Sequence, residues 1–117
     1  MDIKQINITL LVLFAAALLE AGGDALVRLG LYASTALTRG LLFAIGGLVL
    51  FAYGYLVNAP PWEFGRLLGA YVVFFFFFAQ LISWLIFHQR PSPAVLIGGA
   101  FIVAGGVIIS VDAGTYR

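Results

Sequence analysis

The sequence predicts an all-α fold, an integral membrane bundle of four transmembrane helices, and three observations carry that prediction. The chain of 117 residues is 63% hydrophobic and only 9% charged, far below the roughly 25% of charged residues in an average soluble domain. Its mean hydropathy is +1.11. Its apolar residues come in long continuous runs, and about 20 such residues at about 1.5 Å each span a hydrocarbon core of roughly 30 Å. Strands of a membrane barrel would alternate apolar and polar residues over about ten positions, so a barrel is excluded. One membrane domain over residues 1–117 accounts for the chain.

The first helix is expected over about residues 6–29, interrupted only by Glu20, Asp24 and Arg28. Lys4 followed by the apolar run Ile8 to Leu19 has the outline of a signal peptide, but the run continues past Glu20 to Leu31 without a polar cleavage region. The first helix is therefore expected to be retained. A mildly polar link with Ser34, Thr35 and Thr38 leads to a second helix over about residues 40–57. It stops at Asn58-Ala59-Pro60-Pro61, because proline lacks a donor and pushes the preceding residue out of helical geometry. Trp62-Glu63-Phe64 reads as an interfacial turn with Trp62 at headgroup level.

The third helix is expected over about residues 65–87 and contains the unbroken run Phe74 to Phe78; His88 to Pro93 ends it. The fourth is expected over about residues 94–111, with Asp112 to Arg117 as a polar tail. Links this short imply antiparallel neighbours. Lys4, Arg66 and Arg117 then fall on one side of the membrane, and Arg28, Arg39 and Arg90 on the other. Orientation normally follows an excess of Lys and Arg on the cytoplasmic side, so the even count leaves two readings open: chance, or copies that insert in opposite senses.

Charge and cysteine content exclude several function classes. The six basic residues are scattered singly, with no basic patch to bind nucleic acid. There is no cysteine and only one histidine, which gives no metal site, no thiol nucleophile and no disulfide framework. No phosphate-binding, serine-hydrolase or zinc-protease motif occurs. The chain is therefore expected to be no enzyme, with no catalytic residues and no cofactor.

The informative charges lie on the first helix. Glu20, Asp24 and Arg28 are spaced at i, i+4 and i+8 and share one face. Glu20 sits near the middle of its span, where an acid costs on the order of 2.5–3.5 kcal/mol unless it faces protein or water. Ala16, Ala17 and Gly23 beside it allow a second helix to approach. Glu20 reads as a proton and cation site, since burial and a second carboxylate both favour its protonated form. Asp24 reads as the ion-pair partner of Arg28, given the ideal spacing. Arg66 and Tyr71 fall on the first turns of the third helix, within reach of substrate or Glu20, although Arg66 is equally readable as a snorkelling cation. Gln80, Trp84 and His88 share a face and read either as the lining of a pathway or, more commonly for Trp and His near a helix end, as interfacial anchors. In the fourth helix, Gly98-Gly99 and Gly105-Gly106 recur at an interval of seven and form a packing stripe; Gly46-Gly47 and Gly54 are a weaker version.

The segment Q-L-I-S-W-L-I-F-H-Q-R from Gln80 to Arg90, followed by Gly98 and Gly105, resembles the second half of small multidrug resistance transporters. L-E-A-G-G from Leu19 to Gly23, with Arg28 eight positions after the glutamate, resembles their first helix. Gly65-Arg66-Leu-Leu-Gly-Ala-Tyr71 is similar to the YnfA-type branch of the same drug/metabolite transporter superfamily. The resemblance implies a multi-pass protein of the cell (inner) membrane that exports a small cation or amphipathic metabolite in exchange for protons. Glu20 would be its shared proton and substrate site, with Asp24 and Tyr71 nearby, and Gly98 and Gly105 would be the contact of a homodimer, antiparallel in the drug exporters. Tyr71 stands where those exporters carry Trp, and Leu68 where they carry Tyr, so a quaternary-ammonium substrate is not assigned. Two alternatives stay open: a non-transporting accessory or assembly subunit, and one half of a lipid-carrier flippase.

Overall fold

The computed structural model describes residues 2–115; Arg117, counted above among the basic residues, lies outside them. The described residues form four helices, α1 (Ile3–Leu31), α2 (Ala36–Val57), α3 (Phe64–Leu85) and α4 (Pro93–Thr115), each long and apolar enough to cross a membrane. They make a four-helix membrane bundle. α1 packs between α2 and α3, and α4 packs chiefly on α3. The result is a slab of 51 × 33 × 20 Å.

The helix ends differ from the sequence expectation for local reasons. α1 starts at Ile3 because Asp2 and Gln5 form a capping box: the Gln5 amide donates to Asp2 Oδ1 at 2.8 Å, and the Asp2 amide donates back to Gln5 Oε1 at 3.3 Å. α2 starts at Ala36 because Thr35 caps it, accepting from the Thr38 amide at 3.2 Å. The threonines of the expected link are thus a helix start. α3 stops at Leu85, before the expected Phe87; His88 takes a left-handed backbone (φ 57°), and the Gln89 amide turns back to the Ser83 carbonyl at 3.0 Å. α4 runs on through Asp112, whose carboxylate meets the Arg66 guanidinium at 2.9 Å. That ion pair joins the start of α3 to the end of α4, as antiparallel neighbours require.

The core sits where α1, α3 and the end of α2 meet. Leu13, Ala16 and Ala17 are fully buried, with Val57, Leu67, Ala70, Tyr71 and Phe78 around them. Trp62 turns inward and joins this cluster. The phenylalanine run is divided by direction, since five consecutive residues cover every side of a helix. Phe78 is buried, with Phe14 edge-on at 4.9 Å between ring centroids, and Phe77 is exposed.

The glycine doublets are divided in the same way. A Cβ on Gly23 would lie 2.8 Å from Leu50, one on Gly46 3.2 Å from the Gly23 carbonyl, and one on Gly99 2.5 Å from the Phe76 ring; one on Gly106 would fall on the Val73 side chain. Their neighbours Gly22, Gly47, Gly98 and Gly105 have nothing within 4 Å, and Gly54 is equally open. Adjacent residues point about 100° apart on a helix, so each doublet supplies one close contact inside the protein and one bare position facing away from it.

Candidate functional site

Glu20 is partly buried on α1, three residues past the helix midpoint at residue 17 and so about 4.5 Å along the axis from it. Its carboxylate is held from α3: the Tyr71 hydroxyl donates to Glu20 Oε1 at 2.7 Å. Tyr71 itself is buried, only 4% exposed. Its ring lies 5.6 Å from that of Tyr53 on α2 and 6.4 Å from that of Phe75. The Tyr53 side chain also interacts with Glu20. Side chains from three helices therefore converge on one acid. A phenol both donates and accepts, so it stays hydrogen-bonded whether the carboxylate carries a proton or not.

Ala16, Ala17 and Gly23 do what the sequence suggests, letting neighbours approach the charged face of α1 closely. Sequence reasoning singled out Glu20 by its depth and found Tyr71 beside it by position on α3. It missed Tyr53, which carries no spacing signal within α2; only the cross-helix fold brings it to Glu20.

The expected ion pair within α1 does not form. Asp24 and Arg28 make no ion pair with each other, and among the described residues Asp24 makes none at all. The Arg28 guanidinium lies instead over the Phe87 ring, 5.5 Å from its centroid, a cation–π contact across the gap between α1 and the end of α3. Arg66 does not reach Glu20. It pairs with Asp112 at 2.9 Å and with Glu63 at 3.2 Å, which makes it an end clamp between helices.

Asp24 and Arg28 both line a cleft of about 200 Å³ between α1 and α3. Gln80 and Trp84 line a different, almost wholly apolar groove of about 630 Å³ between α3 and α4, and His88 is exposed. The Arg90 guanidinium lies 6.0 Å from the Trp84 ring. Gly98 and Gly105 are bare on the outer side of α4, while Gly99 and Gly106 hold it to α3.

The family model described as "Uncharacterised BCR, YnfA/UPF0060 family" matches residues 6–115. A "UPF0060 membrane protein" of Herpetosiphon aurantiacus is 34% identical over 96 residues, covering 80% of this chain and 84% of the relative. The "UPF0060 membrane protein YfjF" of Bacillus subtilis is 37% identical over 103 residues, covering 87% and 91%. No solved structure matches the chain.

Proposed function

The chain belongs to the YnfA/UPF0060 family of membrane proteins, a family similar to the small multidrug resistance transporters, and from that premise we propose a proton-coupled exporter of the cell (inner) membrane. Its substrate is a small cation or amphipathic metabolite, and it works as a homodimer around two Glu20 carboxylates. The observation that carries this reading is the Tyr71–Glu20 hydrogen bond, 2.7 Å long and near the middle of the span. A carboxylate there is costly unless it is protonated or paired with a cation, so proton and substrate compete for one acid. That competition is the coupling: release of one follows binding of the other.

The second copy supplies the second carboxylate, and the bare glycines Gly98 and Gly105 are its contact. Lys4 and Arg66 stand near one end of the helices, and Arg28, Arg39 and Arg90 near the other. This near balance supports insertion in both senses and antiparallel pairing. Alternating access then exchanges the two protomers around a fixed site near the midplane.

Proteoliposomes carrying a proton gradient test the reading. Glu20→Gln keeps the side-chain size and the hydrogen bond but removes the exchangeable charge, and it is expected to abolish pH-driven uptake of cationic probes. Uptake unchanged by Glu20→Gln overturns Glu20 as the coupling site, and an absence of pH-driven uptake by the wild type favours an accessory subunit instead.

A further inference from the structure

The cleft lined by Asp24 and Arg28 is a second polar feature, distinct from the Tyr71–Glu20 contact. Asp24 lies seven residues from the α1 midpoint, about 10 Å along the axis and inside a hydrocarbon half-thickness of roughly 15 Å; Arg28, eleven residues away, lies at its edge. A carboxylate at that depth calls for a counter-charge. The nearest cation in sequence, Arg28, lies over the Phe87 ring and makes no ion pair with Asp24, and no other described residue pairs with Asp24.

The α3 side of the cleft supplies Ser83 and Gln89, joined by the Ser83 hydroxyl donating to Gln89 Oε1 at 3.3 Å, and apolar walls that include Phe75 and Phe87. About 200 Å³ is smaller than the roughly 300–1,000 Å³ of sites for drug-sized ligands. The cleft borders the Glu20 site. Its wall includes Ala21, next to Glu20, and Phe75, which stacks on Tyr71.

We infer that this cleft binds a small zwitterion of amino-acid size, with its ammonium on Asp24, its anionic group on Arg28 and a short apolar body against Phe75 and Phe87. A simple cation would satisfy Asp24 and add nothing to Arg28; a simple anion would do the reverse. A zwitterion meets both charges and brings no net charge into the membrane, where net charge is what costs most. The inference rests on the transport reading only in calling this ligand a cargo. Binding is measured without transport.

The experiment is equilibrium dialysis of the detergent-solubilised full chain with three radiolabelled probes that share one side chain: leucine, the cationic leucine amide and the anionic N-acetyl-leucine. Leucine is expected to bind about tenfold or more tighter than either analogue, the worth of one charge-assisted contact. Arg28→Gln is expected to erase its advantage over leucine amide, and Asp24→Asn its advantage over N-acetyl-leucine. Leucine amide binding as well as leucine, or no saturable binding of any probe, overturns the proposal. The wild-type comparison decides this even if a variant fails to fold. Preferred binding of leucine with no pH-driven uptake of leucine or of cationic probes would retire the transport reading and keep the cleft. Glu20-dependent uptake of a cation without zwitterion preference would do the opposite.

Discussion

In each glycine doublet the two positions are alike in sequence and opposite in use. Gly106 and Gly99 let α4 settle against Val73 and Phe76, whereas Gly105 and Gly98, one residue earlier, meet nothing. The difference lies in what stands opposite. α1 has a neighbour on each side, α2 and α3, while α4 has its main neighbour, α3, on one side. A small residue in a membrane helix marks a close approach only when something approaches, so half of each doublet is spent inside the protein and half is left for whatever faces it.

The largest effect is expected where that contact is tightest. Gly106→Ala places a methyl group on the β-branched and therefore stiff Val73 side chain, and overpacking of this kind costs about 1–3 kcal/mol. A drop in the unfolding midpoint of the solubilised protein checks it; an unchanged midpoint would mean that α4 does not dock where the fold places it. The paired control is Gly98→Ala with Gly105→Ala. It should leave the protomer intact or raise its stability by roughly 0.5–1 kcal/mol per site through helix propensity, while lowering the dimer fraction in cross-linking. A dimer fraction that survives both substitutions breaks the assignment of the outer stripe. The smallest effect is expected at the end clamp. Arg66→Gln loses ion pairs whose side chains are 24% to 74% exposed, worth about 0–1 kcal/mol and diminished by salt. Unfolding curves at low and high ionic strength should differ for the wild type and converge for the variant.

The helices were legible because their signal is a long apolar run, which needs no knowledge of neighbours. Their ends were less so. Thr35 and Thr38 read as a polar link and are a cap, and Asp112 reads as a tail but is held in helix alongside Arg66. Glu20 stood out because depth alone makes an acid expensive. Tyr53 did not, since its meeting with Glu20 depends on how α2 lies against α1 and α3. The pairing of Asp24 with Arg28 followed from spacing within one helix, and it gave way to a ring in the turn that follows α3. Rules local to one helix describe what residues can reach, and packing between helices decides what they meet.

The two hydroxyls around Glu20 belong to different stages of synthesis. Tyr53 arrives with the α1–α2 hairpin. Tyr71 follows 51 residues after Glu20, roughly 3–10 s later at about 5–20 residues per second. The Tyr71–Glu20 bond can therefore close only after α3 has been made, and the α1–α2 hairpin carries its acid without that bond until then.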